Sequence, residues 1–518
     1  MKFEKARSWF SRLASAVECH TYYRVGNALV GQGNLDGAID AYNTALGLKN
    51  DFPKAHNNLG VVLQREGRLD NAVASYRNAI KHNPDFPEAH NNLGNALKDL
   101  GKLSTAIDSY KTAIELKPNY AEAHTNLGTT LQEQGNLTAA IDFYKTAIAL
   151  KPNYAEAHNN LGTALQQQGN LTAAIASYNK ALKLKKDNPE VHWNSSLTML
   201  LGGDYKNGWE KYEWRTKTGK VQLKPHASPR SKLWNGKFPK KEVKLLIVTE
   251  QGLGDTLQFM RYALVLKKYK FNISLCAPAR LHPLIKSSGI DSSPLTPEQA
   301  NQVSEGEWIQ LLSVPRYLNI SPANPIITGA YIKPTDKLSC KWKKILSTNQ
   351  MPNIGINWRG NRDDTNKQGR NIPIHSFRKI VDSYTGNFLC LQRGSQPLEI
   401  EQLQKNRKIT PHQLDILRIA DSEHPEDFLE YAAIINNCDL VITTGSTAAH
   451  MAAGMGIPTW VLLPKVPDWR WGLYGDSTFW YPSMRLFRQN ENGDWNEVMQ
   501  RVKLALQEHF GGGLSTRI

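Results

Sequence analysis

The sequence predicts an α-solenoid followed by two Rossmann-like α/β units in series, and three observations carry that expectation. Gly26, Gly60, Gly94, Gly128 and Gly162 stand 34 residues apart, as do Gly33, Gly67, Gly101, Gly135, Gly169 and Gly203. Tyr42, Tyr76, Tyr110, Tyr144, Tyr178 and Tyr212 keep the same step. Beyond about residue 242 the period is lost, and short continuous apolar runs alternate with helical patterns. Small and aromatic residues locked in phase at this period mark stacked helix–turn–helix units. Apolar runs alternating with helices mark buried parallel strands.

Composition narrows the function classes. The 518 residues are 40% hydrophobic and 21% charged, a globular balance long enough for more than one domain. No run of about 18 apolar residues occurs, so no membrane span is expected. The N-terminal stretch MKFEKARSWFSRLASAVECH lacks the apolar core of a secretory signal. The cysteines, Cys19, Cys276, Cys340, Cys390 and Cys438, are scattered and form no CxxC pair. A reduced cytoplasmic setting without disulfides or zinc is expected. The formal charge is +16, yet residues 1–200 hold 21 Lys/Arg against 18 Asp/Glu. Much of the surplus lies in residues 206–244, where 12 Lys/Arg face three acids. Such a stretch is either a solvated hinge or a patch for phosphate, nucleic acid or an acidic partner. No nucleic-acid motif accompanies it, so no specific nucleic-acid partner is expected.

One repeat unit, starting at Ala55, shows the pattern. Leu59, Val62 and Leu63 have helix spacing, Gly67 breaks the chain, and Leu69, Ala72, Val73, Tyr76, Ala79 and Ile80 form a second stripe. Pro84, Pro118 and Pro152 close successive units. The pattern resembles the tetratricopeptide repeat. An N-terminal helix is expected over 1–21 and repeats over 22–215, the last a degenerate cap over 192–215. His56, His90, His124, His158 and His192 also step by 34, too far apart for one metal, and are read as packing or surface residues. Asn58, Asn92, Asn126, Asn160 and Asn194 form a second ladder. Carboxamides in a column can hold an extended peptide backbone, or can satisfy neighbouring turns. The ladder resembles the asparagines lining the superhelix of protein O-GlcNAc transferase, which implies a protein or peptide partner along the superhelix.

A basic linker over 216–241 is expected to join the solenoid to the α/β region. A first half over 242–335 would contain strands at 243–249 and 272–276, helices at 256–266 and 280–287, and a further strand after 308–312. A second half over 336–508 would contain strands at 353–358, 388–391, 440–443 and 459–463, with helices at 428–435 and 448–454. Residues 509–518 read as a flexible tail. Two such halves in series imply a cleft, with ligands at the carboxyl ends of the strands.

Five segments carry a second resemblance: EQGLGDTLQFMRY (250–262), GINWRGN (355–361), LQRG (391–394), TTGSTAAHMAAGMGIPTWVLLP (443–464) and PDWRW with WYPSMRLFRQ (467–489). In order and spacing they resemble the heptosyltransferase-type glycosyltransferases of family 9, which have the GT-B fold, over about residues 243–506. The closest likeness is to bacterial proteins in which tetratricopeptide repeats precede such a domain. The resemblance implies an inverting, metal-independent transfer from a nucleotide-sugar donor, which is a substrate and not a cofactor. The second half would bind the donor.

That chemistry needs a seat for a diphosphate, a base for the acceptor hydroxyl and stabilisation of the leaving group. Asp255 follows Gly252 and Gly254 at a strand-to-helix turn; by resemblance it is the catalytic base, and by local chemistry it is equally an N-terminal cap. Gln258 stands where the family often has histidine, and Glu250 is the nearest alternative base. Gly445, Ser446 and Thr447 enter a helix carrying His450, a turn suited to a diphosphate. Gly445 stands where many members have an acid. His450 either touches the donor or bonds to a neighbouring strand. Arg359, beside Gly360, and Arg370 flank a polar loop and would neutralise diphosphate, or pair with Asp363 and Asp364. Trp469 and Trp471 would stack on a base or sugar, or pack, and Arg470 would meet phosphate or an acidic partner. Arg485 and Arg488 carry the same ambiguity.

The expected function is therefore sugar transfer, with the repeats recruiting a protein acceptor or partner. One alternative is a non-catalytic interaction scaffold that keeps the glycosyltransferase fold. Another is an RNA- or anion-binding adaptor using residues 206–244.

Overall fold

A computed structural model describes residues 2–326, 329–347, 350–360, 371–394, 399, 403, 411–422 and 424–511. Contacts divide the chain into two units, Met1–Asp187 and Asn188–Ile518.

In the first unit each period is a pair of antiparallel helices. The pairs are Lys2–Gly31 with Leu35–Leu48, Pro53–Arg65 with Leu69–His82, Pro87–Asp99 with Leu103–Leu116, Ala121–Glu133 with Leu137–Leu150, and Ala155–Gln168 with Leu171–Leu184. The first helix runs unbroken through residues 21 and 22, where the sequence suggested a boundary.

The two glycine columns do different work. Gly33, Gly67, Gly101, Gly135 and Gly169 adopt φ between 74° and 89°, the left-handed region that ends a helix without Cβ strain. The other column makes room: a methyl group at Gly60, Gly94 or Gly162 would lie 2.6 Å from the ring of Tyr76, Tyr110 or Tyr178. The tyrosines are buried, and their hydroxyls reach back to the first helix of the pair, as in Tyr110 to Asn95 Oδ1 at 2.7 Å. Glycine and tyrosine are therefore locked in phase because each fills the other's space. Histidine Nε2 atoms of residues 56, 90, 124 and 158 lie 3.0–3.1 Å from the carbonyl six residues earlier, pinning each helix to the loop before it.

The second unit contains two all-parallel sheets among the described residues. Strands β1 (Lys232–Leu233), β2 (Val243–Val248), β3 (Phe271–Cys276) and β4 (Glu307–Gln310) form one, in the order β1-β4-β2-β3. Strands β5 (Asn353–Asn357), β6 (Asn387–Cys390), β7 (Leu440–Thr444), β8 (Thr459–Leu463) and β9 (Met484–Arg488) form the other, in the order β6-β5-β7-β8-β9. Strand β9 lies where the sequence offered only Arg485 and Arg488 as site candidates. Arg488 instead donates to the carbonyls of Trp471, Gly472 and Gly475, closing a loop. Helix Trp495–His509 covers the second sheet with Val498, Met499, Val502 and Leu506 in its core.

Two sequence expectations are corrected here. Residues 216–241 are not a bare linker: Leu223, Ala227 and Trp234 are buried, and β1 pairs with β4. The expected capping pair, now helices Pro189–Leu201 and Tyr205–Tyr212, falls inside the second unit. Trp209 Nε1 donates to the Ile320 carbonyl at 2.9 Å, and the Tyr205 and Phe479 rings meet edge to face at 5.3 Å.

Gly94→Ala should overpack the Tyr110 ring and destabilise the solenoid by about 1–3 kcal/mol. Chemical unfolding followed by circular dichroism checks this; an unchanged midpoint would remove the complementarity argument.

Candidate functional site

Each sheet has a point where the chain reverses its direction of strand addition, and ligands of such sheets sit there, at the carboxyl ends of the strands. In the first sheet that point lies between β2 and β4, and protein fills it. Arg215 is fully buried and grips Glu250 with Nη2–Oε1 at 2.7 Å and Nε–Oε2 at 2.8 Å. The guanidinium also reaches Gln310 Oε1 at 3.0 Å and Ser313 Oγ at 2.9 Å, and the Leu312 N–H donates to Glu250 at 3.0 Å. Glu250 is thus a structural anion and not an alternative base.

The corresponding point in the second sheet lies between β5 and β7, where Asn357 is in register with Thr443. Here Gly445 and Ser446 lead into helix Thr447–Gly454. Ser446 makes no side-chain cap to that helix; its Oγ lies 2.9 Å from Thr443 Oγ1. Arg359, just past β5, pairs with Glu399 at 3.2 Å and donates to the Gly394 carbonyl at 2.8 Å. Gly360 follows it. Arg370, Asp363 and Asp364 lie outside the described residues.

The loop after β2 meets this turn. Gln251 has φ 59°, an uncommon left-handed conformation for a side-chain-bearing residue, and its amide donates to the Tyr212 hydroxyl at 3.2 Å. Gly252 precedes helix Leu253–Phe259, which carries Asp255 and Gln258. Gly254 lies close to the other half: a methyl group there would lie 3.2 Å from His450 Cδ2 and 3.7 Å from Thr447 Cα. The first turns of these two helices, one from each half, therefore lie side by side.

Charge at this junction is concentrated in one network. Asp255 Oδ2 accepts the Gly252 N–H at 2.9 Å, which is the capping role, and Oδ1 forms an ion pair with Arg470 Nη2. Arg470 also binds Asp468 Oδ1 at 2.8 Å and Gln258 Oε1 at 2.8 Å. Trp469, beneath Arg470, is packed edge to face on Trp209 at 5.4 Å and is buried, as is Trp471, so neither offers an open stacking face.

His450 is buried. Its Nδ1 lies 3.0 Å from the Tyr481 hydroxyl and its ring stacks on Trp471 at 5.6 Å. Burial, helped by the Arg470 and Arg261 charges, pushes its pKa down to about 3, so the ring is neutral near pH 7. Arg261 was not anticipated as a site residue, although it lies in the 250–262 motif. It is buried between the Tyr331 and Tyr481 rings, at 4.6 and 4.2 Å, and donates to the Gln258 and Trp480 carbonyls at 2.7 Å. Its third bond, to the Tyr331 hydroxyl at 3.1 Å, ties in the segment between the halves. Tyr331 gave no sequence signal.

The asparagine ladder lies half-buried on the first helices of the repeats. Asn58, Asn92 and Asn126 each donate to an asparagine of the preceding repeat: Asn27, Asn57 and Asn91, at 2.9–3.0 Å. Asn160 Oδ1 accepts from Asn159 at 3.4 Å. Asn194 lies on helix Pro189–Leu201 of the second unit.

The TPR repeat family matches residues 26–67, 65–101, 94–135, 130–169 and 164–198. The N-terminal unit is built of tetratricopeptide repeats. Such repeats form a protein-interaction scaffold. Protein FlbA of Caulobacter vibrioides is 25% identical over 336 residues, 60% of this chain and 54% of FlbA. The chain thus matches only about half the length of that curated relative. Among solved structures, MamA is 28% identical and covers 31% of this chain and 95% of its own, with a TM-score of 0.30. TTC0263, a tetratricopeptide repeat protein of Thermus thermophilus, is 22% identical and covers 35% and 99%, with a TM-score of 0.31. Among the described residues no helix is long and apolar enough to cross a membrane, and no cluster of three potential metal ligands occurs.

Two outcomes test this description. Arg215→Met should strand the Glu250 charge and cost about 3–5 kcal/mol, while Arg215→Met/Glu250→Gln should cost clearly less; urea unfolding of both variants decides. His450 is neutral in the folded protein but binds a proton below about pH 6.5 once unfolded. Stability should therefore fall on acidification through the window from about pH 6.5 towards pH 3, by about 1.6 kcal/mol between pH 6.5 and 5. His450→Asn should lack that component, as paired urea titrations at the two pH values would reveal.

Proposed function

We propose that the α/β unit is a GT-B-type glycosyltransferase that moves a sugar from a nucleotide-sugar donor, with inversion and without a metal. The tetratricopeptide repeats bring the protein acceptor or partner. The observation that supports this reading is the approach of Gly254, the residue before Asp255, to Thr447 and His450 in the first turn of the helix from the other half. Asp255 would take the acceptor proton. The free N–H groups of helix Thr447–Gly454, with the Ser446 and Thr447 hydroxyls, would seat the diphosphate. Arg470 would counter the charge that develops on the leaving group. Neutral His450 would act only as a hydrogen-bonding and packing group.

One observation favours the scaffold alternative. A Cβ at Gly445 would lie 2.9 Å from Trp471 Nε1, so the indole occupies the space an acidic side chain would use. An acid at 445 and the indole in this position exclude each other, and a body that binds partners without turnover would tolerate the loss.

Calorimetry against UDP-, GDP-, ADP- and CMP-sugars separates the two. The transferase reading expects saturable binding of one donor, weakened at least tenfold in Ser446→Ala/Thr447→Ala. A folded protein that binds none of them would overturn it in favour of the scaffold.

A further inference from the structure

We propose that Arg470 couples donor binding to activation of the base: a diphosphate draws the guanidinium away from Asp255, and only then is the carboxylate free to accept a proton. This deepens the reading of the cleft given above and rests on it.

The argument starts from the bonds of Asp255. A general base needs an oxygen open to the acceptor hydroxyl. Here Oδ2 holds the Gly252 N–H at 2.9 Å and Oδ1 holds Arg470, so the guanidinium stands between the carboxylate and an acceptor approaching from its side. The Gly252 bond belongs to the helix terminus and is built into the loop. The Arg470 bond joins two halves of the unit and is the one a ligand can replace.

Arg470 is placed for that exchange. Of its two carboxylate partners, Asp468 is a local neighbour that also caps the Arg470 N–H at 3.1 Å, so it stays with the arginine. Asp255 is the partner from the other half. The pair keeps a narrow opening, with side-chain exposures of 10% for Arg470 and 19% for Asp255. The helix N-terminus that would seat a diphosphate lies against Gly254, the residue next to Asp255. An anion arriving there brings at least two negative charges to a guanidinium that holds one exchangeable carboxylate. Fork-shaped donors match phosphate oxygens well, and water exclusion strengthens the contact.

The transfer then balances. The acceptor oxygen bonds to the anomeric carbon and its proton passes to Asp255. The carbon–oxygen bond to the diphosphate breaks, and its electron pair leaves on the nucleoside diphosphate, beside Arg470. Without a donor the base stays paired.

The test uses the full chain, with inorganic pyrophosphate and UDP, GDP, ADP and CDP as probes in calorimetry. Asp255→Asn removes the competing charge but keeps an acceptor for Gly252, and should bind the preferred probe at least fivefold tighter than wild type. Arg470→Gln should bind at least tenfold weaker. The double variant should behave like Arg470→Gln, because the gain passes through the arginine. Asp255→Ala repeats the comparison if Asp255→Asn fails to fold. The coupling is overturned, with the donor site left standing, if wild type binds but neither Asp255 variant tightens, or if the gain survives in the double variant. Absence of binding in every folded variant overturns both the coupling and the cleft reading.

Discussion

The buried pair between Arg215 and Glu250 is the constraint on which the α/β unit depends. Two full charges in a water-free interior are tolerated only when each is closely satisfied. Glu250 receives two guanidinium N–H groups and a backbone N–H; Arg215 spreads its remaining donors over Gln310, Ser313, Glu213 and the Tyr212 carbonyl. Those contacts fix the carboxyl end of β2, draw residues 205–217 onto the first sheet and close its strand-reversal point. Glu250 also opens the loop that leads to Asp255, so the same pair sets where the candidate base stands.

The junction of the two halves is held in a different way. Arg261 is a buried cation whose described bonds go to carbonyls and a hydroxyl, with aromatic faces on either side. Neutral oxygens and ring quadrupoles replace water around it without a carboxylate. Burial lowers the His450 pKa, and the Arg261 charge adds to it together with the Arg470 charge. Arg470, by contrast, is paired with two carboxylates, Asp255 and Asp468.

Much of this was legible in the sequence where the cause is local and recurs. The glycine and tyrosine columns are such a case, because their mutual exclusion is repeated in every helix pair. Strands β2, β5 and β7 were visible as apolar runs ending in glycine turns, and β8 as an apolar run ending before Pro464. Strand β9 was not, since MRLFR alternates charge with apolar residues and reads equally as a basic loop. The fate of Glu250 was hidden because Arg215, its partner, comes from a segment read as repeat and linker. The reason for Gly445 was hidden as well, because the atom that excludes a side chain belongs to Trp471, on another loop. Trp234 and Leu223 were masked by the surrounding lysines, which suggested solvent where there is core. What a lone sequence hides in this chain is chiefly the pairing of distant residues, and the candidate site is made of such pairings.

The last helix pair shows how a repeat signal outlives its repeat. Gly203 keeps the left-handed turn at φ 87°, and Tyr212 keeps its place in the tyrosine column. Yet Ser196 stands where the small-residue column calls for glycine, and Trp193 stands where earlier units have Asn57, Asn91, Thr125 and Asn159. Asn57 and Asn91 bond from repeat to repeat; Trp193 instead packs on Tyr212 at 4.9 Å, and the Tyr212 hydroxyl accepts from Gln251 in the loop after β2. Where earlier pairs bond to the next repeat, this pair meets the α/β region through Trp209, Tyr205, Tyr212 and Arg215. Periodicity identifies how such a pair was built; the destination of its polar and aromatic groups decides which body it serves.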